Sequence, residues 1–166
     1  MWLSAILDFY ILPGIGYTLA DYGIIPRTLT GLRGIAFAPF LHANLAHLIS
    51  NSIPFLILGG LLMLHGTRRF LIVTFGCMII GGLGTWSIGA PGNHLGASGL
   101  IFGYFGFLLL RALYEKSLLS IFLALAAGGL YGGLIWGVLP SQPGVSWESH
   151  LCGFIAGAIM AKLVKR

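Results

Sequence analysis

The sequence predicts an all-α, polytopic membrane protein, a bundle of six transmembrane helices, and three observations lead there. Of its 166 residues, 57% are hydrophobic and only 8% are charged, against roughly 25% charged in a soluble domain. Mean hydropathy is +0.95. The apolar residues fall into six runs separated by short polar or basic turns, each near the ~17–25 residues that a spanning helix needs. Such a chain cannot cover its surface for water, which excludes a soluble enzyme or binding module.

The six runs cover residues 4–20, 45–64, 70–88, 98–113, 118–139 and 147–164. Asp8, Pro13, Gly14 and Gly16 interrupt the first, although proline is tolerated in a membrane helix when neighbours satisfy the freed backbone groups. The opening Met1-Trp2-Leu3-Ser4 lacks the basic region of a cleavable leader, so the first run is expected to be retained. No linker, soluble domain or transporter-like repeat is visible, and one membrane domain is expected over residues 1–166. The 26 glycines suit close helix packing. Cys77 and Cys152 show neither disulfide nor zinc spacing and read as small core residues.

The pI near 9.6 could suggest nucleic acid, but the placement of the cations argues for membrane topology and no nucleic-acid partner. Arg68 and Arg69 separate the second and third runs, Arg111 and Lys116 the fourth and fifth, and Lys162, Lys165 and Arg166 end the sixth. Only Arg27 and Arg33 fall on the opposite side. The positive-inside rule puts both termini in the cytoplasm and turns the loops 21–39, 89–97 and 140–146 outward. The expected location is the cell membrane.

Counting a ~1.5 Å rise per residue from each cytoplasmic flank gives the depth of the polar residues. Ser98 lies about 20 Å above Arg111, His150 about 18 Å above Lys162, and Asn51 about 21 Å above His65. In a ~30 Å hydrocarbon core these are similar levels, nearer the outer face. The irregular stretch before Ser98 must then line a wet cavity or be buried in protein. Ser98 is expected to open a helix on the floor of that cavity.

Polar side chains at such depth are costly and usually functional. Ser98, in Gly96-Ala97-Ser98-Gly99, reads alone as an N-cap; as a nucleophile it would use the same helix N-terminus to stabilise an oxyanion. His150 reads either as a packed histidine or as a base, since an imidazole of ordinary pKa near ~6.5 is neutral enough to take a hydroxyl proton. His47 and Asn51 are four apart and share a helix face, either for interhelical bonding or as donors to an oxyanion. His42 points elsewhere, with a structural role. Gly99 with Gly103 and Gly153 with Gly157 form small-residue faces whose packing would bring Ser98 to His150. No acid completes a triad: Glu148 is too near His150 along one helix, and Asp8 is on an unrelated run. Histidine spacing of the HExxH kind is missing, so no metal or other cofactor is expected.

These residues resemble the rhomboid family of intramembrane serine proteases. The resemblance covers nearly the whole chain: six runs, the His42-x4-His47-x3-Asn51 pattern, the GxSG motif at 96–99, and His150 followed by Gly153 and Gly157. It implies a Ser98–His150 dyad with Ser98 as nucleophile and His150 as base and acid. His47, Asn51 and the Ser98 backbone N–H would form the oxyanion hole. Substrates would be single-pass transmembrane proteins, cleaved near the outer face after entering past the fifth run and the 140–146 cap. One departure is the Trp-Arg motif of many rhomboids, which is missing from residues 21–39; Arg27 and Arg33 stand there without the tryptophan, so that loop is expected to be anchored differently. The rivals are a non-catalytic membrane adaptor, which would have lost the serine or histidine, and a transporter or channel, which would show repeats or pore charges. The expected partners are transmembrane substrates and the lipid bilayer, and the sequence specifies no oligomeric state.

Overall fold

The first apolar run does not make one continuous helix. The computed structural model describes residues 1–140 and 144–164; residues 141–143 of the expected cap, and the basic Lys165 and Arg166, lie outside the described residues. Helix α1 (Trp2–Ile6) passes into a π turn (Leu7–Ile11) and a 3-10 turn (Leu12–Ile15). Pro13 contributes no N–H there, and Gly16, at φ +74°, ends the element. The buried Asp8 carboxylate accepts from the Thr18 hydroxyl and the Leu19 N–H, folding the chain back on itself. The helical stretch therefore ends at residue 15, short of the expected residue 20.

The following loop carries one short helix, α2 (Gly34–Phe37), laid against α4 (Thr67–Ile88). Between them in the chain comes α3 (Leu45–Met63), whose start is capped by the Asn44 side chain accepting from the His47 N–H at 2.8 Å. The remaining helices are α5 (Ser98–Glu115), α6 (Leu118–Tyr131) and α7 (Trp147–Leu163). Ser117 caps α6 from outside, and α6 tightens after Tyr131 into a 3-10 turn (Gly132–Val138). Among the described residues no strand occurs, only an antiparallel bridge between Ile24 and His94. Among the described residues three stretches are long and apolar enough to cross a bilayer: Leu45–Met63, Thr67–Ile88 and Leu118–Val138.

Helix α5 is the axis of the bundle. Every residue from Leu100 to Leu108 is buried, because α3, α4, α6 and α7 all pack on it. Its tightest neighbour is α7, and glycine is the reason. A Cβ at Gly153 would land on the Gly99 carbonyl, and one at Gly157 on the Gly103 carbonyl. The two small-residue faces therefore meet backbone to backbone. On the outside of the bundle, large apolar side chains such as Leu56, Phe122 and Leu125 are exposed, as a hydrocarbon solvent allows. Both cysteines are free and buried.

The bundle has two unlike ends. At one, the loops before α3, between α4 and α5, and before α7 come together, joined by the Ile24–His94 bridge and by His94 to Ser146. At the other, Arg111 departs from its sequence reading as a loop cation: it lies inside α5 and is buried. Its guanidinium donates to the Ala161 carbonyl (2.9 Å), the Val164 carbonyl (2.5 Å) and the Glu115 carboxylate (2.7 Å). The last carbonyls of α7 have no partner within their own helix, and Arg111 supplies it. Arg69 adds a 3.4 Å ion pair to the same Glu115.

Candidate active site

Helix α5 begins at Ser98, with Ala97 as the N-cap residue and no side-chain capping bond. Ser98 is therefore the first residue of the helix rather than its cap, and its hydroxyl is not used to close the helix. Gly96, at φ +116°, makes the turn that delivers it. A Cβ on Gly96 would come within 2.7 Å of the His47 ring, so only glycine lets this loop lie against that imidazole. The first glycine of the motif is thus explained by His47.

His150 sits in the first turn of α7 and is buried. Its Nδ1 is 2.8 Å from the Gly137 carbonyl. A carbonyl only accepts, so Nδ1 carries the hydrogen and the neutral ring keeps a lone pair on Nε2. The ring lies flat on Phe102, with centroids 4.2 Å apart and planes 6° from parallel. Two contacts therefore set its position and tautomer. Neither was in the sequence reading. Phe102 carried a signal, being four residues after Ser98 on one helix face. The Gly137 carbonyl carried none, since every residue has one.

Asn51 is buried on α3, one turn after His47. Its amide donates one hydrogen to the His47 carbonyl at 2.8 Å, which leaves the second N–H of the group. Ser98, His150, His47 and Asn51 all line one cavity of about 500 Å³, with Phe102 and Asn93 beside them. Glu148, set apart from the dyad in the sequence, is buried and accepts from the Ala90 N–H at 2.9 Å. Among the described residues no cluster of histidine, cysteine or carboxylate groups could hold a metal ion.

His42 precedes α3 and is buried, with its ring edge-on to His47 at 5.2 Å and, among the described residues, neither nitrogen in a well-formed hydrogen bond. Burial, helped by the nearby His47, pushes it from 6.5 down to about 4. The folded state thus resists a proton that the unfolded chain takes up near pH 6.5. The stability this gives is fully present above that pH and is lost as the pH falls towards about 4. Melting curves in detergent at pH 7.5 and 4.5 check this. The drop in melting temperature should be smaller for His42→Leu than for the parent, and equal drops refute it.

The loop after α1 is anchored by a tryptophan and an arginine from different elements. Arg27, at φ +58°, donates to the Ser87 and Gly89 carbonyls at 3.2 and 2.9 Å. Trp86, from the last turn of α4, donates to the Thr28 carbonyl at 2.8 Å. Arg33 instead stacks over Tyr22 at 4.3 Å.

An uncharacterized protein of Mycobacterium tuberculosis is 45% identical over 158 residues, 90% of this chain and 66% of the relative. One of Mycobacterium leprae is 45% identical over 157 residues, 89% of this chain and 62% of the relative. A Bacillus subtilis protein named "Putative rhomboid protease YdcA" is 42% identical over 83 residues, 48% of this chain and 41% of its own length. The chain spans about two thirds of the length of the mycobacterial relatives it matches. No solved structure matches it. The Rhomboid domain profile matches residues 29–166, the part that holds α2 to α7 and every residue lining the cavity. With several helices fit to cross a bilayer, this multi-pass membrane protein belongs to the rhomboid family.

Proposed function

We propose that the chain is an intramembrane serine endopeptidase that cleaves single-pass transmembrane proteins near the outer face of the membrane. One observation carries the reading: Ser98, His150, His47 and Asn51, from three helices, line one cavity with the His150 lone pair left free by the Gly137 bond. Neutral His150 takes the Ser98 proton as Oγ bonds to the scissile carbonyl carbon. The oxyanion accepts from the Ser98 backbone N–H at the start of α5 and from His47 and Asn51. Protonated His150 then gives its proton to the leaving amine as the C–N bond breaks. Water, deprotonated by His150, hydrolyses the acyl-enzyme and returns Ser98. No cofactor takes part.

In this reading residues 1–166 form a single domain of six spans, with the stretch Trp2–Ile15, α5 and α7 completing the set beside the three longer stretches and both termini in the cytoplasm. The test uses the purified chain and its Ser98→Ala variant, exposed to a fluorophosphonate probe and to a reporter transmembrane protein. Wild type should be labelled and should cleave, and the variant should do neither. Equal cleavage by the two ends the reading.

A further inference from the structure

His94 has no part in the steps above, yet it joins more segments at the loop end of the bundle than any reaction step requires. Its backbone N–H donates to the Ile24 carbonyl at 2.9 Å, and its carbonyl accepts from the Ile24 N–H at 2.8 Å. Its ring reaches two more partners: Nε2 is 2.9 Å from the Ala90 carbonyl, and Nδ1 is 2.5 Å from the Ser146 hydroxyl. The carbonyl can only accept, so Nε2 carries the hydrogen and Nδ1 of the neutral ring accepts from Ser146. Glu148 makes a second tie between the same two segments through the Ala90 N–H.

Ser146 occupies the N-cap position of α7 but makes no capping bond with its side chain. A serine there ordinarily accepts from an N–H of the first turn. Here the hydroxyl is turned to His94 instead. The Ser146 carbonyl accepts from the His150 N–H at 3.2 Å, so the residue that His94 holds is bonded directly to the backbone of His150. On the other side, Ser98 follows His94 by four residues. One imidazole thus links the backbone that delivers the hydroxyl to the backbone that delivers the base, on the wall of the cavity they share.

The Phe102 ring on α5 fixes the plane of His150, but it does not reach the loop that leads into α5. The α5–α7 contact starts with Gly99 against Ser149 and Gly153, within the helices, whereas the His94–Ser146 bond joins the segments that lead into them. Beyond Ser146 the chain is exposed at Gly144 and Val145. We propose that His94 is a positioning residue: by holding Ser146 against the loop that leads into α5, it sets the placement of His150 relative to Ser98. The proposal rests on the Ser98–His150 reading. Misplacement of a catalytic group by about 1 Å can cost up to ~100-fold in rate, and a lost tie of this kind should cost part of that.

The test compares His94→Ala, Ser146→Ala, the double variant, His94→Asn and His94→Gln in the full chain in detergent micelles. Cleavage of the reporter substrate, the rate of fluorophosphonate labelling of Ser98 and the melting temperature are measured for each. His94→Ala and Ser146→Ala should each lower kcat and the labelling rate about 10-fold, with KM within about 2-fold. The double variant should be no slower than either single one, because both remove the same bond. Asparagine places an amide oxygen where Nδ1 stood and should restore most of the rate. Glutamine, which reaches the Nε2 position, should not. Additive losses, rates equal to wild type, or losses that follow melting temperature and ignore the asparagine rescue would overturn the proposal. Wild type whose cleavage does not depend on Ser98 would instead remove the dyad reading, and this proposal with it.

Discussion

Replacing His150 by asparagine is expected to lower kcat on the order of 10⁴-fold while KM stays within a few-fold of wild type. The asparagine amide can still donate to the Gly137 carbonyl and lie on Phe102, so the pocket keeps its lining. What is lost is the lone pair that Nε2 offers. Without it Ser98 stays a neutral alcohol, a weak nucleophile, and the leaving amine has no proton donor. Fluorophosphonate labelling of Ser98 should fall in parallel, since it needs the same activation. Steady-state cleavage of the reporter substrate, with labelling measured beside it, decides the matter. A variant that keeps a tenth or more of the wild-type kcat rules out His150 as the base.

The second large effect is expected at Gly153. A valine there would drive its Cβ into the carbonyl group of Gly99, which is backbone at the first turn of α5 and cannot turn aside. On α7, Gly153 is one turn beyond His150; on α5, Gly99 adjoins Ser98. Any widening of this contact therefore separates the two proposed catalytic groups as well as the helices. The fold should lose about 1–3 kcal/mol or more, seen as a lower melting temperature in detergent, and cleavage should fall about 100-fold or further. Gly60 supplies the control. Nothing lies within 4 Å of where its Cβ would stand, and alanine in that helix interior is expected to gain about 0.5–1 kcal/mol. A Gly153→Val protein that melts and cleaves like wild type would mean that the close approach of α5 and α7 carries little.

Much of the fold can be read from hydropathy alone. Helix α5 starts at Ser98 and α7 at Trp147, where the apolar runs begin, because in a membrane a continuous apolar run has little choice but helix. The first run departs because Asp8 has partners at Thr18 and Leu19 that no periodicity reveals. Arg111 departs for a similar reason. As a sequence feature it marks a polar boundary, yet its three acceptors come from α7 and from its own helix, and they hold it buried within α5. The candidate site divides in the same way. His47 and Asn51 share a face by their spacing, and Ser98 stands out by its motif. The Gly137 carbonyl under His150 and the Ser146 hydroxyl on His94 could not be foreseen.

By itself the sequence determined where this chain resides and which side chains are chemically able to act there. Apolar length and polar intrusion are properties of single segments, and each can be judged without knowing its neighbours. Only the tertiary structure decided which of those groups line one cavity, which nitrogen of His150 is left free, and how closely α5 and α7 approach. Those outcomes depend on backbone carbonyls and on the absence of side chains at Gly96, Gly99 and Gly153. Such features are common to every chain and gain meaning only when distant segments are brought into contact.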